Sequence, residues 1–207
     1  MAFGDSITAG EVTVPMPSLG AAGGPPTYRQ IVVPSTSYPA VLDEQLRQRY
    51  LVQSVVVVNA GRTGDAAAAS AFPRFQTALN TNRPEAVLLL MGYNDLENRA
   101  TVDAAYRALE RMAKEARGRG ARVFLGTLTP SIQGRSRSQI EALVVQLNAA
   151  IRPLAAGEDA VLVDLHQAAL PNVEAWIGVD GLPPTETGHA RSAEQCFAAI
   201  RADLESR

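Results

Sequence analysis

Residues 4–10 read GDSITAG and directly follow the short apolar segment 1–3. Small and turn-forming residues at this point predict that a strand ends here and that the chain turns into a helix. Two other segments have the same character, NAGRTGD at 59–65 and GYND at 92–95, and each follows an apolar run. In an open parallel sheet, ligands bind outside the carboxyl ends of the strands, because loops and helix N-termini converge there. The three segments therefore predict where a functional site lies.

Four short apolar runs predict buried strands. They are residues 55–58, 86–91, 123–125 and 160–165. Each run is continuous rather than alternating, which is typical of a parallel strand covered on both faces. A fifth strand would have to lie at residues 1–3, which is short for a strand.

The stretches between these runs have helical spacing. Apolar residues recur every three or four positions, the spacing of one helix face, within residues 102–116, 140–151 and 190–204. A helix is also expected at 38–50, and a weaker one at 65–80 that Pro73 would interrupt. Strands that alternate with helices predict an α/β fold with a five-stranded, mostly parallel sheet.

One segment, residues 10–37, shows no periodicity and is rich in proline and glycine. We interpret it as a loop inserted into a single domain that spans residues 1–207. A loop of this length in a compact domain is usually functional or disordered. Two alternatives stay open here: the loop borders the binding cleft, or it is a surface excursion.

Composition excludes several classes of protein. The 207 residues carry 19 Lys and Arg against 21 Asp and Glu, a net charge of -2, so the sequence offers no basic field for nucleic acid. One cysteine, Cys196, and two histidines cannot build a usual Cys/His metal site.

No apolar run reaches the ~18 residues that span a bilayer. The first residues lack the pattern of a signal peptide, although a removed leader is compatible with this, and the compartment stays undetermined. We expect no cofactor, since neither a Walker lysine motif nor a G-x-G-x-x-G turn occurs.

Taken together, the motifs resemble the SGNH, or GDSL-type, family of serine hydrolases. GDS near the N-terminus, N-A-G-x-x-G-D, M-G-x-N-D and V-D-G-L-P-P-T occur in the family's order. The resemblance implies a three-layer α/β/α, flavodoxin-like sandwich and ester hydrolysis through an acyl-enzyme. By motif match, Ser6 would be the nucleophile, and its N–H, the N–H of Gly64 and the Asn94 amide would form the oxyanion hole. Asp180 would orient the catalytic base.

Elementary chemistry agrees with these assignments. A serine at a helix N-terminus lies beside backbone N–H groups that point at the place where negative charge develops. A glycine at position 64 lets the backbone approach a substrate closely. The Asn94 side chain is a hydrogen-bond donor that stays neutral at every pH. Taken singly, Ser6 and Gly64 are better explained as turn or capping residues, and Asn94 is equally well explained as an Asx-turn residue. The joint pattern favours the hydrolase. We interpret Asp5 and Asp95 as structural carboxylates that accept N–H bonds from loops.

The base itself is missing from the pattern. The family has Asp-x-x-His, whereas here Asp180 is followed three residues later by Pro183. Proline has no titratable group and cannot take the serine proton. Three explanations stay open: a weakened hydrolase, a non-catalytic relative that binds acylated ligands, or a substitute base at His189 or His166.

The expected function is hydrolysis of short, acetyl-like acyl esters, impaired by the loss of the base. The nearest alternatives are a lysophospholipase or thioesterase for longer acyl chains, with apolar residues of segment 10–37 lining a channel, and the non-catalytic binder. The partner is a small-molecule acyl ester. The sequence does not determine the alcohol, the oligomeric state or the origin of Pro183.

Overall fold

The computed structural model describes residues 1–16 and 27–206. Its strands, in chain order, are β1 Ala2–Gly4, β2 Glu11–Pro15, β3 Tyr28–Val32, β4 Asn59–Gly61, β5 Ala86–Leu90, β6 Arg122–Gly126 and β7 Val161–Val163. Five of them form one parallel sheet in the order β4-β1-β5-β6-β7. The predicted α/β fold with a five-stranded parallel sheet is confirmed.

The short strand β1 lies between β4 and β5 in the sheet. Its residue Ala2 pairs with Asn59 of β4 on one side and with Leu88 of β5 on the other. Because all three strands are parallel, their carboxyl ends open at the same edge of the sheet. The loops after β1, β4 and β5 are therefore neighbours.

Helices flank this sheet. Within the described residues they are α1 Ser6–Ala9, α2 Tyr38–Arg49, α3 Phe72–Asn82, α4 Tyr93–Glu97, α5 Val102–Gly118, α6 Glu141–Gly157, α7 Leu165–Ala169, α8 Val173–Trp176 and α9 Glu186–Glu205. Helix α2 packs against α9, while α5 packs against both α3 and α6. None of the described helices is long and apolar enough to cross a membrane.

Helix α5 shows why the periodic segments were predictable. Thr101 caps its N-terminus by accepting the Ala104 N–H at 3.1 Å. The predicted apolar face is buried, with Leu109, Met112 and Ala116 at most 1% exposed.

Pro73 does not interrupt the helix that contains it. A π-helical turn, Ala67–Ala71, precedes α3, and Pro73 lies in the first turn of α3, where a missing N–H costs nothing.

The prediction of a buried strand at 55–58 is wrong. The strand is Asn59–Gly61, at the edge of the sheet, and Val56 is 60% exposed. The Val57 N–H donates to the Asp43 carboxylate of α2 at 2.6 Å, so a side chain takes the place of a strand partner. Residues 55–58 lead into this edge strand, and their position at the edge explains why they are not covered on both faces.

Segment 10–37 contains more regular structure than predicted. Strands β2 and β3 form an antiparallel hairpin in which Thr13 faces Gln30. The strands were missed because Pro15 and neighbouring polar residues hide a short apolar alternation. The central part of the predicted loop, 17–26, lies outside the described residues.

Candidate active site

The loops after β1, β4 and β5 meet at the carboxyl edge of the sheet. The Arg62 N–H donates to the Gly4 carbonyl at 3.1 Å. The side-chain amide of Asn94, at the start of α4, donates to the Asp65 carbonyl at 2.8 Å. The three sequence segments that predicted a site therefore lie together.

Ser6 is the first residue of α1, directly after β1. The preceding residue, Asp5, caps the helix by accepting the Ile7 N–H at 3.0 Å. Ser6 is 8% exposed. Within the described residues, neither its hydroxyl nor its N–H has a hydrogen-bond partner. Both groups therefore remain available to a ligand.

Gly64 and Asn94 also have hydrogen-bond donors without an acceptor among the described residues. Gly64 has φ +78°, a left-handed conformation that favours glycine, and a Cβ there would meet nothing within 4 Å. Its N–H has no acceptor among the described residues. The Asn94 amide has two hydrogens and uses one on Asp65. Ser6, Gly64 and Asn94 thus contribute three unused donors to neighbouring loops.

Two buried carboxylates support these loops, as expected from the sequence. Asp95 accepts the N–H groups of Ala67 and Ala68 at 2.8 and 2.7 Å. Burial raises the pKa of Asp95, and it raises the pKa of Asp5 to about 7, with the charges of Glu11 and Asp95 adding to the effect on Asp5. Both carboxyl groups accept hydrogen bonds from backbone N–H groups of these segments.

Arg74 of α3 connects the segments after β1 and β4 through hydrogen bonds. The sequence did not predict this role. The Arg74 guanidinium donates to the Asp65 carboxylate at 2.7 Å, to the Ala60 carbonyl at 2.7 Å and to the Gly4 carbonyl at 3.0 Å. It also lies 3.8 Å from the centre of the Phe3 ring. An arginine in a helical pattern normally indicates a solvated face, so no sequence signal pointed to this role.

Asp180, the residue that the sequence predicted to orient a base, is 5% exposed. The Gln30 amide of β3 donates to its Oδ2 at 3.0 Å, and the Arg137 guanidinium is 4.0 Å from the same oxygen. Its Oδ1 has no hydrogen-bond partner among the described residues. Residue 183 is proline, and the Pro183 carbonyl accepts the Gly178 N–H at 2.8 Å. The turn is therefore closed by a backbone hydrogen bond, with no titratable side chain at residue 183.

Arg137 was also missed by sequence reasoning. It pairs with Glu11 and Glu97, each at 3.0 Å. Burial opposes the charge, but the two carboxylates outweigh it and raise the pKa of Arg137. Arg137 thus lies closer to the two glutamates than to Asp180, which is 4.0 Å away.

The two histidines have surroundings that differ from each other. His189 is fully buried in α9, its Nε2 is 3.0 Å from the Glu11 carbonyl oxygen, and its Nδ1 has no partner among the described residues. Burial lowers the pKa of His189. His166 is 8% exposed, with Nε2 3.8 Å from the Glu141 carboxylate. Across residues 1–16 and 27–206, neither ring forms a hydrogen bond with Ser6.

Comparison with known proteins identifies the family. A family model described as GDSL-like lipase/acylhydrolase matches residues 2–191 of this chain. The chain belongs to that family. No curated protein matches the sequence of this GDSL-like chain.

Solved structures show the same fold for this GDSL-like chain. The lipase/acylhydrolase from Enterococcus faecalis has a TM-score of 0.79 at 22% identity, covering 98% of this chain and 94% of that one. TesA has a TM-score of 0.71 at 23% identity, covering 97% of each chain. Axe2, an acetylxylan esterase from Geobacillus stearothermophilus, has a TM-score of 0.70 at 18% identity, covering 98% and 92%. At these identities the likeness carries the fold alone.

Proposed function

We propose that this chain binds acyl esters at the carboxyl edge of its sheet, with the Ser6 hydroxyl as the attacking group. The Ser6 N–H, the Gly64 N–H and the Asn94 amide would hold the acyl oxygen. One observation carries the proposal: within the described residues the Ser6 hydroxyl, the N–H groups of Ser6 and Gly64 and one hydrogen of the Asn94 amide have no partner, whereas the loops around them are tied by hydrogen bonds. Fixed donors without partners are what stabilisation of an oxyanion requires.

The reaction would proceed in two steps. The Ser6 oxygen bonds to the acyl carbon, the carbonyl electron pair moves to the oxygen held by the three donors, and the alcohol leaves with a proton. Water then cleaves the acyl-enzyme and releases the acid. Each step needs a base for the attacking hydroxyl, and Pro183 supplies none. We therefore expect slow turnover, since a hydrolase without its base keeps only roughly 10³ to 10⁴-fold catalysis over water.

We propose short, acetyl-like acyl groups as the preferred substrate. The fold shared with Axe2, described as an acetylxylan esterase, supports this choice. Longer acyl chains are the second candidate, because Met16, Tyr28 and Val32 of the β2–β3 hairpin are 39–43% exposed. A series of p-nitrophenyl esters of increasing acyl length separates the two.

The decisive experiment compares ester hydrolysis by the parent chain and three variants: Pro183→His, Pro183→Asn and Ser6→Ala. Pro183→His should raise kcat/KM by at least about 100-fold, because it supplies the missing proton acceptor. Pro183→Asn also removes the proline but offers no base, so it should give no gain. Introducing Ser6→Ala into the histidine variant should abolish the gain.

Two results would contradict the proposal. A fast parent enzyme that gains nothing from Pro183→His would mean that another base acts. A histidine variant that stays inactive, and binds acyl esters no differently after Ser6→Ala, would remove Ser6 and its donors from the function altogether.

A further inference from the structure

Asp180 is a buried carboxylate with few donors. Within the described residues, the Gln30 amide is the only group that donates a hydrogen bond to its side chain. Arg137 is 4.0 Å away and is held by Glu11 and Glu97. A buried charge depends strongly on each hydrogen bond it receives. The orientation of Asp180 therefore depends on Gln30.

The hairpin places Gln30 over this loop. Gln30 lies opposite Thr13, and directly opposed residues of an antiparallel pair share one face. The Thr13 Cβ lies 3.4 Å from the point where a Cβ on Gly178 would sit. The face of the hairpin that carries Thr13 and Gln30 thus packs on residues 178–180.

The second carboxylate oxygen of Asp180 lies in the same turn as residue 183. Asp180 Oδ1 is 3.6 Å, and the Pro183 carbonyl oxygen 3.2 Å, from that same point at Gly178. Oδ1 is buried and accepts no hydrogen bond within the described residues. An imidazole at position 183 would have a ring N–H to donate, and Oδ1 is the carboxylate oxygen left free to accept it.

We propose that Gln30 is a positioning residue of this site. By donating to Oδ2, it fixes the Asp180 carboxylate and leaves Oδ1 as the oxygen that could accept a ring N–H from a histidine at position 183. The inference rests on the proposed function, since it assigns Asp180 the role of orienting a base. It predicts that a histidine placed at 183 depends on Gln30.

The kinetic test uses the Pro183→His variant as parent. Adding Gln30→Ala should lower kcat about tenfold, the scale of one hydrogen bond to a charged group, and leave KM unchanged. The acid limb of the kcat/KM profile should move to lower pH, because a misplaced Asp180 stabilises the imidazolium less. Gln30→Glu keeps the shape but removes the donor and adds a like charge, so it should lower kcat further.

The matched control is Gln48→Ala. Gln48 makes the same kind of bond, 3.0 Å long, to the Glu44 carboxylate on α2, away from the site. Its loss should leave kcat and the pH profile unchanged. A loss of folding in any variant is detected by circular dichroism and thermal melting before kinetics are compared.

Proton NMR tests the proposal independently of activity. In Pro183→His, the ring N–H shared with Asp180 should give a strongly downfield resonance, absent in Pro183→His/Asp180→Asn. Adding Gln30→Ala should weaken or broaden it, and Gln48→Ala should not. If the resonance and kcat are both indifferent to Gln30, the inference is overturned. If the resonance depends on Gln30 but no ester is hydrolysed, the positioning role stands and the proposed function fails.

Discussion

The two sides of the candidate site differ in what they retain. The proposed oxyanion side, formed by Ser6, Gly64 and Asn94, has its loops tied together, and within the described residues each of the three keeps a donor without a partner. The proposed base side, formed by Gln30, Asp180 and Pro183, is also held by hydrogen bonds but has no titratable side chain at residue 183. In the proposed mechanism, stabilisation of charge and transfer of a proton belong to separate segments of the chain. One can therefore be lost while the geometry of the other persists.

The order of the base side does not depend on a histidine. The Gly181 N–H donates to the Gly178 carbonyl at 2.9 Å, and the Ile132 N–H donates to the Gly181 carbonyl at 3.0 Å. Thr185 then caps helix α9 by accepting the Gly188 N–H at 2.9 Å. Backbone bonds hold this turn, so a single side chain at 183 changes chemistry rather than structure.

The largest expected effect tests whether the oxyanion side works. In the Pro183→His variant, Asn94→Ala should lower kcat about 100 to 1,000-fold, the cost of losing one oxyanion donor. Asn98→Ala, an exposed asparagine at the end of the same short helix, is the control and should have no effect. An Asn94→Ala variant as fast as its parent would show that this side takes no part in catalysis.

The next effect tests what holds the oxyanion side in place. Arg74→Ala should lower the free energy of unfolding by roughly 3 kcal/mol, because it leaves the buried Asp65 carboxylate without its cation. Arg107→Ala removes an exposed pair with Asp103, at 2.8 Å, and should cost at most about 0.5 kcal/mol. Urea denaturation measures both. Equal losses would mean that Arg74 is an ordinary surface arginine.

An effect that builds up gradually with pH concerns Asp5, whose pKa is raised by burial from 3.8 to about 7. Between these values the unfolded chain has released the proton and the folded chain keeps it. The free energy of unfolding should therefore fall as pH rises through this window, by at most about 1.4 kcal/mol per pH unit, and level off above it.

Asp5→Asn removes that fall. Melting temperatures from about pH 5 to about pH 8 should show a gap between variant and parent that grows in favour of the variant. The exposed Asp103→Asn provides the control, with a gap that does not vary with pH. Parallel curves for Asp5→Asn and its parent would refute the assignment.

The smallest expected effect tests how firmly the base side is held. Thr185→Ala should cost about 1 kcal/mol as a lost helix cap, plus the bond that its hydroxyl donates to the Ala175 carbonyl at 2.8 Å. Thr101→Ala removes a cap alone, on the exposed start of α5, and should cost less. Denaturant unfolding of both variants gives the difference. A Thr185→Ala variant no weaker than Thr101→Ala would mean that the base side is held less firmly than its backbone bonds indicate.

Local pattern in the sequence predicted much of the fold. The helical period of α5 and the continuous apolar runs of β5 and β6 follow from burial of one helix face or of both sheet faces, which nearby residues decide. The glycine and amide residues after β1, β4 and β5 marked the carboxyl edge, and the family resemblance was confirmed by the match over residues 2–191. That proline stands where the family pattern has histidine was visible in the sequence, whereas the loss of a base there stays a prediction.

Only the tertiary structure decided how each side of the site is held. Gln30 and Asp180 are 150 positions apart in the chain, and Arg74 and Gly4 are 70 apart. A hydrogen bond over such a separation depends on which elements the fold brings together, and no local spacing encodes it. The sequence thus determined the family and the residue types that follow each strand, whereas the packing of hairpin, loops and helices determined which of their polar groups are fixed by hydrogen bonds.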